Sequence, residues 1–158
     1  MVRDGAHSVR HTPRCFVLLA LALWQTLAGS YGCVERAPPS APARVVSLSP
    51  PLTETLFYLG AAKSVVGVSD YCRTPAEVAS RPRVGTSMKP DYERIARLSP
   101  TLIVTEASTT VDRTQLDALA PTELLPWLTL EEVVPSIRRL GKLTGRPGAA
   151  EQLAVAMQ

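Results

Sequence analysis

From residue 45 onward, apolar residues fall into short β-branched runs separated by stretches with helical spacing. The runs predict strands at residues 45–49, 65–69, 83–86, 101–106 and 122–127. Leu52, Leu56 and Leu59 recur at i, i+4 and i+7, which predicts a helix over residues 51–60. Strands that alternate with helices favour a parallel sheet covered on both faces. The pattern therefore predicts an α/β fold, a three-layer, Rossmann-like parallel sheet flanked by helices.

Cap residues and apolar spacing indicate further helices in the second half of the chain. They are expected at residues 90–98, 111–120, 130–145 and 147–158. Ser49 is expected to cap the first helix, because it directly precedes two prolines that suit a first turn. Pro135 is expected to interrupt the helix in which it lies. No C-terminal cap precedes Gln158, so we expect a truncated sequence or a fragment.

The first 33 residues have the order of a signal peptide. A basic leader over residues 1–14 precedes an apolar run over residues 15–24, and small residues follow. The run is about half of the roughly 20 residues that a membrane-spanning helix needs. Cys33 directly follows Gly32, as in bacterial lipoprotein signals, so acylation of Cys33 and simple cleavage near residues 28–30 both stay open. Either outcome places the folded part outside the cytoplasm, in the periplasm or at the outer face of a membrane.

Charge and residue types exclude several kinds of function. The whole chain carries a net charge of +3, but 14 basic and 13 acidic residues remain without the predicted signal peptide. No Lys/Arg cluster with interleaved aromatic residues is left, so nucleic-acid binding is not expected. Both histidines, His7 and His11, lie in the leader, and the three cysteines are widely spaced. We therefore predict neither a metal site nor a disulfide framework.

Motifs of enzymes are also missing from the sequence. It contains no GxSxG elbow, no phosphate-binding loop and no GxGxxG after the first strand. Asp91 and Glu93 are two residues apart, so a helix would not present both carboxylates to one cleft. We expect no catalytic residues and no enzyme activity.

Three segments resemble a known class of binding proteins. They are RVVSLSPPLTETLFYLGAAKSVVGVSDY, RPRVGTSMKPDYERIARLSPTLIV and the helix start over residues 147–158. They are similar to the ABC-importer periplasmic binding proteins for vitamin B12, ferric siderophores and haem, in which one long helix joins two lobes. The resemblance implies that residues 45–146 are the N-terminal ligand-binding lobe, that residues 147–158 begin the linking helix, and that the second lobe is absent. Residues 34–44 are rich in Pro and Ala and predict an extended tether.

The resemblance also implies where a ligand and a permease would bind. Tyr71 matches a tyrosine that lies at the ligand in the vitamin B12 branch, in the loop after the second strand. The other expected ligand-binding residues stand at the carboxyl ends of strands or in the following loops: Ser49, Asp70, Ser87, Met88 and Glu106. Glu93 matches the acidic residue with which members of the class dock onto arginines of the membrane permease.

Structural roles stay open for several of these residues. Tyr71 could cover the edge of the core, Glu106 could solvate a strand end, and Glu93 is favoured in a first helical turn by the helix dipole alone. Cys72 could be a free thiol, a partner for a cysteine of the second lobe or an inert buried residue. Trp127 is expected in the core.

The expected function is the extracytoplasmic solute-binding component of an ABC importer. It would capture a bulky ligand, with a corrinoid such as vitamin B12 favoured and a ferric siderophore or haem as the alternative. Its partners would be the transmembrane permease with its ATPase, and it would touch the membrane only through a lipid anchor. No cofactor is expected, because cobalamin or an iron chelate would be cargo. A non-transport envelope module and a hydrolase are the alternatives outside the class.

Overall fold

The computed structural model describes residues 43–158. The predicted signal peptide, Cys33 and the tether up to residue 42 lie outside the described residues. Within residues 43–158, no helix is both long enough and apolar enough to cross a bilayer.

A four-stranded parallel sheet forms the centre of the fold. Its strands are β1 (Val45–Ser47), β2 (Val65–Val68), β3 (Leu102–Glu106) and β4 (Thr122–Leu125). Their spatial order is β2-β1-β3-β4, and in register Val46 lies opposite Ile103 of β3. The strands are largely apolar and buried, as in parallel sheets that are covered on both faces.

Helices cover both faces of this sheet. They are α1 (Pro50–Tyr58), α2 (Tyr92–Arg97), α3 (Arg113–Asp117), α4 (Leu130–Leu143) and α5 (Pro147–Ala156), with short 3₁₀ turns at Ala62–Ser64 and Ala76–Ser80. One buried cluster joins alternate strand residues to α1, α4 and α5, and it includes Leu56, Ile137 and Ala150. A second cluster joins the other strand residues to α2 and α3 through Ile95 and Leu116. The predicted three-layer α/β fold is confirmed.

Residues 83–86 do not form the predicted strand. They contribute only isolated bridges, from Arg83 to Val68 and from Gly85 to Pro90. Gly85 has a φ of 82°, a left-handed conformation that turns the chain back on itself. A β-carbon at this position would also lie 2.5 Å from the carbonyl oxygen of Lys89. The segment therefore extends the edge of the sheet beside β2 by one residue and then forms a tight turn.

Helix α4 continues through Pro135, so the predicted interruption is wrong. Pro135 lies on the exposed side of the helix, where water is available to the carbonyl group that loses its helical donor. At the start of the helix, the side chain of Glu132 accepts hydrogen bonds from the backbone N–H groups of Leu128 and Thr129. This satisfied first turn helps the helix to tolerate the proline.

Helices α4 and α5 form an antiparallel pair. Arg138 donates to both carboxylate oxygens of Glu151 at 2.8 and 3.0 Å, and Gly141 lies against Ala150. The connection between the helices is only three residues long, and Gly145 adopts a φ of 69° in it. Helix α5 thus returns beside α4 towards the carboxyl edge of the sheet.

Candidate ligand-binding site at the carboxyl edge of the sheet

The order of the strands creates a topological switch point between β1 and β3. These strands are neighbours, but the chain passes from β1 outwards to β2 and from β3 outwards to β4 on the other side. Their two connections diverge and leave a crevice beyond the carboxyl ends of β1 and β3. Open α/β sheets bind ligands in this position.

Ser49 and Glu106 meet at this switch point. The hydroxyl group of Ser49 donates to Oε1 of Glu106 at 2.5 Å. Ser49 is 1% exposed, whereas Glu106 is half-buried and open to the crevice. Two residues that are 57 positions apart in the sequence are thereby joined in one polar centre.

Ser49 occupies the N-cap position of α1, but its side chain does not cap the helix, so that prediction is wrong. Pro50 and Pro51 follow it, and neither has a backbone N–H to donate. The hydroxyl group is therefore available for Glu106, while the carbonyl group of Ser49 accepts from the backbone N–H of Thr53 at 3.0 Å.

A buried polar cluster lies directly beneath this centre, and the sequence analysis missed its main member, Thr53. The hydroxyl group of Thr53 is 2.8 Å from that of Ser47, 2.9 Å from the carbonyl oxygen of Ser49 and 3.2 Å from the sulfur of Cys72. All four residues are buried. The helical spacing of α1 predicted a buried side at Leu52 and Leu56, and Thr53 lies on that side as well.

Cys72 is a free, buried thiol. Burial raises its pKa above the usual range, and hydrogen bonding to Thr53 partly offsets this increase. Among the alternatives left open by the sequence, the structure places Cys72 in the core, where its side chain anchors the turn that carries Tyr71.

Asp70 and Tyr71 form the exposed part of that turn, at the carboxyl end of β2. The backbone N–H of Asp70 donates to the carbonyl group of Gly85 at 2.8 Å, so the turn lies beside the segment that leads to Ser87. The side chain of Tyr71 is 58% exposed. Tyr71 is therefore not a cover for the core, because more than half of the residue is exposed.

Ser87 and Met88 lie in the next turn. The backbone N–H of Thr86 donates to the carbonyl group of Lys89, and the N–H of Lys89 donates to the hydroxyl group of Thr86. Met88 is 71% exposed, and Ser87 is half-buried.

These residues form a row along one edge of the sheet, in the order Glu106, Ser49, Tyr71 and Met88. A side-chain hydrogen bond joins Ser49 to Glu106, and a backbone hydrogen bond joins the turn of Tyr71 to Gly85, just before the turn of Met88. Neighbouring strands lie about 4.8 Å apart, so the row spans roughly 15 Å from β3 to the segment beyond β2. The result is a wide, open face rather than an enclosed cavity.

The end of β4 adds an apolar flank that the sequence analysis missed. Leu128 is highly exposed, and Trp127 is half-buried against the core, as predicted, while one side of it lines a pocket of about 250 Å³. Ala107 and Ser108, which follow β3, line the same pocket. The position of Trp127 at the end of a predicted strand was the available signal for this flank.

Glu93 lies in the first turn of α2, with its side chain 79% exposed. It accepts a hydrogen bond from Arg97 at 2.5 Å, one turn along the helix. The other end of α2 is fixed at the amino edge of the sheet, because Arg44, which precedes β1, donates to the carbonyl group of Leu98. Glu93 therefore points into solvent near the carboxyl edge, outside the row.

Within residues 43–158, no three His, Cys, Asp or Glu side chains are grouped closely enough to hold a metal ion.

A parallel α/β lobe with an open polar face at its switch point is the architecture of a ligand-binding lobe. Residues 45–158 match the family described as periplasmic binding protein, and the chain belongs to this family. The vitamin B12-binding protein of Pectobacterium carotovorum subsp. carotovorum (strain PC1) is 31% identical over 121 residues, which cover 74% of this chain and 44% of the relative.

Solved structures of the same kind are similar in fold. A periplasmic heme binding protein from Pseudomonas aeruginosa superposes with a TM-score of 0.68 and 25% identity, over 73% of this chain and 43% of that chain. The periplasmic vitamin B12 binding protein of Vibrio cholerae gives a TM-score of 0.66 and 26% identity, over 73% and 47% of the two chains. The chain thus spans less than half the length of these proteins. Membership in a family of binding proteins confirms the predicted class and the expectation that the chain is not an enzyme.

Proposed function

We propose that this chain supplies a ligand-binding lobe of the extracytoplasmic solute-binding component of an ABC importer. The lobe captures a bulky organic or chelated ligand and presents it to a membrane permease without changing it chemically. The proposal rests on the arrangement of side chains at the carboxyl edge of the sheet. There the Ser49–Glu106 centre stands between the exposed side chains of Tyr71 and Met88 on one side and of Leu128 on the other.

A corrinoid such as vitamin B12 is the favoured ligand. It combines a broad macrocycle with peripheral amide groups, and the face combines a width of roughly 15 Å with apolar and polar groups. Tyr71 and Met88 offer apolar contact to the macrocycle, and the carboxylate of Glu106 accepts hydrogen bonds from amide N–H groups. The similarity to vitamin B12-binding proteins supports this choice.

Haem or a ferric siderophore is the second candidate. A flat porphyrin fits the same open face, and one of the similar solved structures is a heme binding protein. After residue 11 the sequence contains no histidine, so an axial ligand to haem iron would have to come from a side chain such as Tyr71 or Met88.

Export and docking complete the proposal. The signal peptide over residues 1–33 directs the lobe out of the cytoplasm, and acylation of Cys33 would anchor it through the tether over residues 34–44. Glu93, exposed on α2 near the carboxyl edge, docks onto an arginine of the permease, which works with its ATPase.

The test is a titration of cyanocobalamin, then a ferric siderophore, then haemin. One sample is the chain from Val34 onward, in which Trp127 is the only tryptophan and serves as the fluorescence probe, with correction for ligand absorbance. The parallel sample is the longest form that the gene encodes, without the signal peptide. The carboxyl edge of one lobe covers only one side of a ligand, whereas binding sites normally enclose most of the ligand surface. We therefore expect saturable binding of the corrinoid by the longest form and much weaker binding by the chain from Val34 onward.

Three other results are informative. Binding of haemin or of the siderophore in place of the corrinoid would keep the proposed transport function and change the ligand. Absence of binding to both samples would refute the proposed function and leave the family and the fold. If a Tyr71→Ala variant bound the ligand as tightly as the wild type, the carboxyl edge would not be the binding site.

A further inference from the structure

Arg83 lies behind the turn that carries Asp70 and Tyr71. Its Nη1 atom donates to the carbonyl group of Ser69 at 2.9 Å and also to the carbonyl group of Cys72. These carbonyls belong to the first and last residues of the turn. The backbone of Arg83 pairs with Val68, the last residue of β2, so its side chain needs to reach only a short distance past the end of the strand.

The turn is held from inside as well. The sulfur of Cys72 contacts Thr53 in the core, and the backbone N–H of Cys72 donates to the carbonyl group of Ser69 at 3.0 Å. Tyr71 contributes much less to this arrangement. Its backbone N–H donates over a longer 3.3 Å to the hydroxyl group of Ser69, and its side chain is mostly exposed. The direction in which Tyr71 points therefore depends on the backbone of the turn.

Arg83 directs its charge at the backbone, as Arg44 and Arg81 do elsewhere in the fold. It is half-buried, and among residues 43–158 it forms no ion pair with a carboxylate within 4 Å. Its guanidinium group donates to two backbone carbonyl groups of one turn. Hydrogen bonds from a charged donor are stronger than those between neutral groups, so this cation is a strong clamp on the turn.

We propose that Arg83 is a positioning residue of the ligand site, which fixes the turn and thereby holds Tyr71 against the ligand. This inference rests on the proposed function, because it assigns Arg83 a role in ligand binding at the same face. Arg83 acts through the backbone of the turn and not by contact with the ligand.

The chain offers a matched control two residues away. Arg81 is also half-buried and donates to a backbone carbonyl group, that of Ala62 at 3.0 Å, in a different turn. Arg83→Met and Arg81→Met each remove a guanidinium group and keep an apolar stem. A third variant, Arg83→Lys, keeps a cationic donor that can reach one carbonyl group.

Two measurements on the chain from Val34 onward, in which Cys72 is the only cysteine, test the clamp without a ligand. The first is hydrogen exchange at the amides of Asp70, Tyr71 and Cys72, and the second is the rate at which a thiol reagent modifies Cys72. We expect Arg83→Met to accelerate both by about tenfold or more, the change that follows from losing two charge-assisted hydrogen bonds. Both rates for Arg83→Lys should lie between those of the wild type and those of Arg83→Met. Both rates for Arg81→Met should equal those of the wild type. Thermal unfolding is measured for each variant to exclude global unfolding as the cause.

A third measurement links the clamp to binding, with cyanocobalamin and haemin as the probes. In the longest encoded form, Arg83→Met should raise Kd by about tenfold, whereas Arg81→Met should change it by less than about twofold. In a Tyr71→Ala background the effect of Arg83→Met should disappear, because the two residues act in one unit.

Three results would overturn the inference that Arg83 positions Tyr71. Unchanged exchange and unchanged Cys72 reactivity in Arg83→Met would show that the turn does not need the clamp. Equal losses in Arg81→Met, or an undiminished effect of Arg83→Met in the Tyr71→Ala background, would reduce Arg83 to a general structural role. If the wild type bound neither probe, the proposed function would fail, and the exchange and thiol measurements would still decide whether Arg83 holds the turn.

Discussion

Single buried polar side chains decide how the candidate site is built. Thr53 accepts or donates in three hydrogen bonds beneath the crevice, and one of its partners is the thiol of Cys72. A hydroxyl group in the core is costly unless it is paired, and here the pairing joins α1, β1 and the turn after β2. The cluster thus ties the residues of the candidate site above it to the core below.

The buried thiol of Cys72 makes stability depend on alkaline pH. Because burial raises its pKa, the thiol stays protonated in the folded chain while the unfolded chain releases the proton above its ordinary pKa of about 8.5. Its contribution to stability is complete below that pH and is lost as the pH rises through the folded pKa. The free energy of unfolding should fall by up to about 1.4 kcal/mol per pH unit from this group.

Urea unfolding of the chain from Val34 onward, between pH 7 and pH 10, measures this effect, since Cys72 is its only cysteine. The control is Cys72→Ser, which keeps a hydrogen-bonding atom near Thr53 but does not titrate in this range. The difference in stability between wild type and variant should shrink as the pH rises. If the free energies of unfolding of the two proteins changed with pH in parallel, the thiol would not be desolvated in the folded state.

At the scale of elements, the pair α4 and α5 depends on a close approach at Gly141. A β-carbon at this position would lie 2.3 Å from that of Ala150 and 2.9 Å from the carbonyl oxygen of Arg146. Gly141→Ala should therefore destabilise the fold by about 1 to 3 kcal/mol, although alanine favours a helix by up to about 1 kcal/mol. Chemical denaturation of the two proteins measures the difference.

Gly148→Ala is the matched control for this prediction. Gly148 lies in the first turn of α5, and a β-carbon there would meet no atom within 4 Å. The variant should be as stable as the wild type or gain up to about 1 kcal/mol. A similar change in both variants would show that helix propensity, and not the contact between the helices, sets the effect.

The sequence pattern predicted elements well where local periodicity decides them. The buried runs of β1, β2 and β3 and the apolar stripe of α1 are properties of their own segments, and they were confirmed. The segment at residues 83–86 looked like a strand, but the left-handed conformation of Gly85 is a property of the turn and not of apolar spacing. Pro135 was misjudged for a similar reason, because its cost depends on whether solvent can reach the helix at that point.

The sequence predicted where the candidate site residues lie but not which residues they form hydrogen bonds with. Rules for parallel sheets correctly placed Ser49 and Glu106 at the carboxyl edge. Their mutual hydrogen bond depends on β1 and β3 being neighbours, which local sequence does not reveal. Thr53 and Arg83 were missed because their partners come from other elements, and a lone threonine or arginine carries no signal of its own.

At the scale of the whole molecule, the carboxyl edge of the sheet is open and carries exposed apolar side chains. The exposed side chains of Tyr71, Met88 and Leu128 all follow carboxyl ends of strands or the segment beside β2. At the amino edge, Arg44 instead donates to the carbonyl groups of Leu98 and Ser99 and closes the fold. An open face with exposed apolar groups is suited to contact with a ligand and a partner surface.

Docking by Glu93 would add contact with a permease to the proposed ligand binding at the carboxyl edge of the sheet. Its hydrogen bond to Arg97 is exposed and contributes about 0.5 kcal/mol or less, so exchanging Arg97 for an arginine of a permease costs little. In a desolvated interface, loss of the carboxylate costs about 2 to 5 kcal/mol. Glu93→Gln should therefore leave folding and ligand affinity unchanged and weaken docking to the permease by at least about tenfold.

Glu131→Gln is a control matched in helical position, since Glu93 and Glu131 both stand two residues after an N-cap, in α2 and α4. Dipole stabilisation of the first turn is lost in both variants, so only a contact with the permease distinguishes them. Binding of the longest encoded form to its permease complex in nanodiscs, together with uptake of the ligand, measures the difference. A loss in Glu93→Gln alone supports docking through α2. Equal behaviour of the two variants would mean that Glu93 serves only its own helix, and the permease contact would then have to be sought elsewhere on the carboxyl edge.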